Sequence, residues 1–154
     1  MTTTRIETVL DRLSTKVSGR LAPLTRPIAF EAGAIVLREG VDTPFLGVIL
    51  SGRVALRLRV PEKGDRITIV TIEPGELIGW SAVVPPFRAT VDAVATEPTR
   101  LLAIDAVSLR ARLAADAELA AELLPLILES VSDRLGATWD QLLDVYASRE
   151  TQPW

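Results

Sequence analysis

The stretch Pro74–Val91, PGELIGWSAVVPPFRATV, decides how this chain is to be read. Gly75 and Gly79 stand four residues apart, an apolar step follows at Ala82–Val84, then the pair Pro85 and Pro86, and a single arginine, Arg88, lies between Phe87 and Ala89. Glycine and proline at this density mark a shaped loop rather than a regular element. A guanidinium offers a planar fork of donors that matches phosphate or carboxylate, so Arg88 is a candidate anion anchor. Before this stretch the sequence reads as strands; after it come one more pair of strands and then helix to the end.

Upstream, from Pro27, the chain is a series of β-branched and aromatic runs: PIAFEAG, AIVLREG, FLGVILSG, VALRLRV and RITIVTIEPG. Gly33, Gly40, Gly52, Gly64 and Gly75 recur at intervals of 7 to 12 residues, the rhythm of an antiparallel barrel or sandwich. Within Arg53–Val60 the apolar Val54, Leu56, Leu58 and Val60 alternate with Arg53, Arg57 and Arg59, which predicts one buried and one wet face. The arginine row is read as solvated charge rather than a nucleic-acid stripe. Pro61, Glu62, Lys63, Gly64 and Asp65 form a hairpin connection, and the apolar phase slips between Ile69 and Val70, which predicts a bulge or burial on both sides. At the N-terminus Ile6, Val9, Leu10, Leu13 and Val17 recur at helical spacing, so a short helix ended by Gly19 is expected, followed by a turn over Leu21–Leu24 with Pro23.

Downstream, Ala89–Ala95 and Arg100–Ile104 read as two strands joined through Glu97 and Pro98. Asp105 precedes an apolar-periodic run and is placed to accept the free amides of a helix start, with Val107, Leu109 and Leu113 as the buried stripe; Asp116 is expected to cap the next helix. In that last helix Leu124, Leu128, Val131, Leu135, Thr138, Leu142 and Val145 are spaced 4, 3, 4, 3, 4, 3, a heptad seam. A second stripe, Leu123, Ile127, Trp139, Leu143 and Tyr146, runs beside it. Both stripes could pack on the chain's own barrel, but a strict 3.5-residue repeat favours one stripe on the barrel and the other on the same helix of a second copy. Pro125 removes one backbone hydrogen bond, so the helix is expected to kink or begin there.

Composition narrows the chemistry. The 154 residues contain no cysteine and no histidine, which excludes disulfides, thiolate nucleophiles, zinc sites built on imidazole or thiolate, and histidine general bases. No cofactor or metal is expected, and no motif places a carboxylate pair, so an enzyme is not expected. A net charge of −3 with dispersed basic residues argues against unaided nucleic-acid binding. No apolar run approaches the ~18 residues of a membrane span, and the N-terminus lacks the cationic and apolar regions of a signal peptide, so a cytoplasmic protein without membrane contact is expected. Hydrophobic residues at 48% leave apolar surface to hide, which favours an oligomer.

Taken together these segments resemble the cyclic nucleotide-binding domain family, and within it the effector domain of catabolite-activator-type bacterial regulators. The residues that carry the resemblance are Phe30, Gly33, Glu39, Gly40, Ser51, Gly52, Pro74, Gly75, Ile78, Gly79, Arg88, Ala89, Thr90, Ile104 and Asp105, and it spans about Thr25 to Tyr146. It implies a mostly β protein with flanking helices: an antiparallel, jelly-roll-like β-roll of about eight strands, a short N-terminal helix and a long C-terminal helix. The implied division is an N-terminal helical segment at 1–24, the roll at 25–105, and C-terminal helices including a dimerisation helix at 106–149. In the family the loop after the sixth strand is a phosphate-binding cassette, whose helix-start amides and arginine hold the cyclic phosphate while a glutamate accepts from the ribose 2′-hydroxyl. Gly79 falls on the cassette glycine, Arg88 on the phosphate arginine, and Ala89 and Thr90 follow. The glutamate's position is occupied by Trp80. Its loss removes a charge-assisted hydrogen bond worth about 1.5 to 3 kcal/mol, roughly tenfold to a hundredfold in affinity. A group of bacterial members with a similar Gly-Trp-Ser cassette, a following Pro-Pro and a terminal Leu-Leu-Asp-Val-Tyr stretch resembles this chain further.

The implied ligand-binding set is Gly79, Trp80, Ser81, Arg88, Ala89 and Thr90, and the implied dimer interface is Leu128, Val131, Leu135, Thr138, Leu142 and Val145. Arg88 has the alternative roles of capping a carbonyl or pairing with Asp92; Trp80 can stack on a ligand or fill the pocket; Thr90 can donate to phosphate or be a plain strand residue. Two functions are weighed: a homodimeric sensory domain for a cyclic nucleotide or other small anion, and a degenerate domain that dimerises or docks on an unidentified protein partner. DNA-binding relatives carry a winged helix after the long helix, where this chain has only Ala147–Trp154, so nucleic-acid binding is not expected.

Overall fold

The run Phe45–Ser51, FLGVILS, is apolar at almost every position because both faces of that strand are covered. The computed structural model describes residues 7–150 apart from residue 63; Ile6, Lys63 and residues 151–154, which figured in the sequence reading, lie outside the described residues. The eight strands among the described residues are β1 (Thr25–Phe30), β2 (Ile35–Leu37), β3 (Phe45–Ser51), β4 (Val54–Arg59), β5 (Arg66–Ile72), β6 (Leu77–Ile78), β7 (Asp92–Ala95) and β8 (Thr99–Asp105). They form two antiparallel four-stranded sheets, ordered β1-β8-β3-β6 and β2-β7-β4-β5. This is the expected mostly β architecture, an eight-stranded antiparallel roll with helices at either end of the chain.

Between the sheets lies a core of Val36, Leu37, Phe45, Ile49, Val54, Ile72, Ile78, Ala93, Leu101 and Ala103. The alternate residues of β3, β6 and β8, namely Leu46, Val48, Leu77 and Ile104, point the other way into a second core. That core is roofed by Val17 and Leu21 of α1 (Thr15–Leu21), Leu109 of α2 (Ala106–Ala115), and Leu119, Leu123 and Ile127 of α3 (Ala117–Glu150). The helical segments at both ends of the chain therefore share one core with the roll. No helix among the described residues is long and apolar enough to cross a membrane.

Several local expectations hold with physical detail. The β4–β5 ladder shifts register so that Leu56 faces Val70 and Arg57 faces Thr68, leaving Ile69 as the extra residue of a bulge at the predicted slip. Asp105 Oδ2 accepts from the Ser108 amide at 2.9 Å, and Asp116 Oδ1 from the Leu119 amide at 3.1 Å, so both aspartates cap their helices.

Others are corrected. The N-terminal helix is two pieces: a 3-10 turn at Val9–Arg12, then α1, capped by Ser14, whose hydroxyl accepts from the Val17 amide. The side chains of Ser14 and Glu122 explain the break, because Glu122 of α3 accepts from both the Ser14 amide (2.7 Å) and its hydroxyl (2.9 Å). Gly19 lies inside α1 rather than ending it. The turn at Leu21–Leu24 is the end of α1 followed by a 3-10 turn at Ala22–Leu24. The apolar face of β4, expected to be buried throughout, is buried only at its start: Val54 is buried, Leu56 half-buried and Leu58 exposed, because the β4–β5 ribbon extends past the core. The strand expected from Ala89 begins at Asp92. Val107 is exposed, so the α2 stripe reduces to Leu109 with Leu113 packed at its edge. The last helix begins at Ala117 and runs through Pro125.

Candidate ligand cassette and its helical wall

Strand β6 ends at Ile78, and Gly79, with a φ of 87° and a ψ of 33°, turns the chain sharply into a 3-10 turn, Trp80–Val83. A Cβ at Gly79 would collide with the Phe45 carbonyl oxygen, so both the backbone angle and the space demand glycine. The turn closes through the Ala82 amide donating to the Gly79 carbonyl at 2.9 Å. The Pro85–Pro86 bond is cis, and Phe87 follows at a φ of 65°. The returning arm then pairs with the loop after β2. The Thr43 amide donates to the Phe87 carbonyl (2.8 Å), the Ala89 amide to Val41 (3.1 Å) and the Gly40 amide to Ala89 (2.9 Å). Asp42 and Arg88 form the bridge pair between these arms.

Side chains fasten the loop from three sides. The buried hydroxyls of Ser81 and Thr43 are 2.6 Å apart. Arg110 of α2 donates from Nη1 to the Ala82 carbonyl at 2.8 Å and lays its guanidinium over the Phe87 ring, 4.2 Å from the centroid. Asp92, buried at the start of β7, accepts from the Glu39 amide at 2.8 Å and pairs with Arg66. The alternative pairing of Arg88 with Asp92 is therefore displaced: Asp92 is engaged by Arg66, and Arg88 Nε lies 3.5 Å from Asp42 Oδ1.

Gly79, Trp80, Ser81, Ala89 and Thr90 line one cavity of about 30 Å³. Arg88 is not among its lining residues; its side chain is 62% exposed. Trp80 is half-buried and packs against the core that includes Leu46, Leu77 and Leu123. The far wall of the cavity is Arg134 of α3, a residue the sequence reading passed over. Its Nε and Nη2 are shut off from solvent and have no hydrogen-bond partner among the described residues. Burial pulls this guanidinium down to about 10, against the attraction of Glu76, so it remains a cation at neutral pH. In the sequence Arg134 is only a polar residue between seam positions Val131 and Leu135; no local signal separates it from solvated arginines such as Arg112. Its place in the cavity follows from where α3 crosses the cassette. Beyond the roll, α3 leaves Leu128, Leu135, Trp139, Leu142, Leu143, Val145 and Tyr146 exposed, while Val131 and Thr138 are half-buried. The Thr138 hydroxyl donates to the Arg134 carbonyl at 2.8 Å. Among the described residues no group of acidic side chains is arranged to hold a metal ion.

A family model, the cyclic nucleotide-binding domain, matches residues 27–116. Solved structures agree on the fold. A cyclic nucleotide-binding domain from Methylobacillus flagellatus superposes with a TM-score of 0.78 at 22% identity, covering 95% of this chain and 82% of that one. A protein described as cyclic nucleotide-binding from Geobacter metallireducens gives 0.73 at 24%, covering 82% and 91%. The N-terminal domain of a transcriptional regulator from Streptomyces coelicolor gives 0.64 at 25%, covering 87% and 90%. No curated protein sequence matches. With more than half of its length matched, the chain belongs to the cyclic nucleotide-binding domain family.

Proposed function

We propose that this chain is a non-enzymatic regulatory domain that works as a cytoplasmic homodimer and responds to a small anionic or nucleotide-like ligand at its atypical cassette. The observation that carries this reading is the position of α3. One side of the helix walls the cassette cavity through Arg134, and the same helix leaves Leu128, Leu135, Leu142 and Val145 of its apolar seam exposed. A ligand that changed the cassette would act directly on the helix that a second copy would grip, and two packings of such a seam supply a switch. The proposed ligand set is Gly79, Trp80, Ser81, Ala89 and Thr90, with Arg88 at the rim; the proposed dimer contacts are Leu128, Val131, Leu135, Thr138, Leu142 and Val145.

The test is titration with cyclic AMP, cyclic GMP and cyclic dinucleotides, followed by melting temperature and sedimentation velocity. A nucleotide present at 100 times its Kd should add about 2.7 kcal/mol to stability. A second reading, a dimerisation or docking module with no small-molecule ligand, is favoured by the cavity volume of about 30 Å³ and by the packing of Trp80 in the core. A dimer that ignores every ligand tried would support that second reading, and a monomer at micromolar concentration would defeat both.

A further inference from the structure

Nε and Nη2 lie on one edge of a guanidinium with parallel N–H bonds, the edge that takes a carboxylate or phosphate through two bonds at once. In Arg134 it is this edge that is buried and unpartnered. A charged fork held away from water without an acceptor is unfavourable unless an anion completes it. The acid closest in electrostatic effect, Glu76, is engaged elsewhere, its Oε1 accepting from the Glu73 amide at 2.9 Å. Arg134 itself lines a cavity whose other walls include Gly79, Trp80 and Thr90.

The size of that cavity limits what can be held. At about 30 Å³ the cavity is roughly tenfold smaller than the ~300 Å³ or more of pockets that enclose nucleotide-sized ligands. Trp80 packs against the helical core, so clearing a ribose-sized volume would unpack its ring from that core. Arg88, by contrast, is exposed and turned to Asp42.

We propose that Arg134, rather than Arg88, is the principal anion anchor of this cassette, and that its ligand is a compact oxyanion presenting two parallel oxygens, either inorganic phosphate or a small carboxylate. This rests on the ligand-responsive reading above and narrows it to a ligand class. The anion would bind the wall contributed by α3 directly, with the cassette turn closing over it.

Melting and calorimetric titrations with sodium phosphate, sodium acetate and cyclic AMP, each against sodium chloride at equal ionic strength, test it on the wild-type chain and on Arg134→Met, Arg134→Lys and Arg88→Ala. Phosphate or acetate is expected to bind saturably and raise the melting temperature. Which of the two does so distinguishes the sources of the oxyanion. Arg134→Met should weaken that binding at least tenfold more than Arg88→Ala does, and Arg134→Lys, a point charge without the fork, should restore only part of it. Without anion, Arg134→Met should melt no lower than the wild type, because it removes an unpaired buried charge; this separates lost binding from lost folding. Absence of saturable binding by either anion overturns the inference, as does equal binding by Arg134→Met. Cyclic AMP binding that depends on Arg88 but not on Arg134 overturns it while leaving the regulatory reading intact.

Discussion

At Gly79 two independent constraints coincide, a left-handed backbone and a carbonyl oxygen, that of Phe45, in the space a Cβ would need. Gly79→Ala is therefore expected to destabilise the fold by roughly 2 to 4 kcal/mol, measured by urea denaturation, since strain and collision add. Asp105 is the other residue whose surroundings make a quantitative demand. The amide and hydroxyl of Ser108, with Arg26 nearby, hold its carboxyl below the ordinary range. A depressed carboxylate contributes stability that is present above its unfolded pKa near ~3.9 and lost as pH falls through the lower folded value. Stability measured from pH 5 down to pH 2.5 should thus decline less steeply in Asp105→Asn, which keeps a capping oxygen but cannot titrate, while Asp105→Ala should lose about 1 kcal/mol at neutral pH. Both capping aspartates and the Gly79 turn were legible in the sequence because their causes are local. Arg110 and Arg134 were not, because what makes them matter is the Ala82 carbonyl, the Phe87 ring and a cavity wall, all distant in the chain.

Among the elements, α3 does two kinds of work along its length. Over its first three turns Leu119, Leu123 and Ile127 are buried against the roll, and acidic neighbours hold the N-terminal segment. Lys16 reaches Glu118 at 3.2 Å, Ser14 bonds Glu122, and Arg12 meets Glu129 at 3.0 Å. Leu123→Ala should cost about 2 to 5 kcal/mol in thermal or urea unfolding, the usual range for deleting a fully buried leucine. After Leu128 the same apolar spacing continues, with Val131 still packed on the core but Leu135, Leu142 and Val145 exposed. The two stripes seen in the sequence are real as a pattern, yet the boundary between barrel-facing and free helix is set by where the roll ends. The β4–β5 ribbon teaches the same point: its alternation and bulge were readable, but Leu58 and Ile67, at 41% and 51% exposure, project beyond the core that alternation alone would have put under them.

For the whole molecule the exposed seam is an apolar surface that self-association is expected to cover. Sedimentation equilibrium should find a dimer whose melting temperature rises with protein concentration, and Leu142→Asp should give a folded monomer with no such dependence. The sequence by itself determined most of the strands, the two capping aspartates, the bulge and the family, because each depends on the order of residues within a few positions or on a motif spread at fixed spacing. Tertiary structure alone decided which charges matter at the cassette. Arg88 matches the family motif yet stands in solvent beside Asp42, whereas Arg134, 46 positions further on, is desolvated over the cavity. Burial and pairing depend on how α3 crosses the roll, a relation between distant segments that no local stretch of sequence encodes.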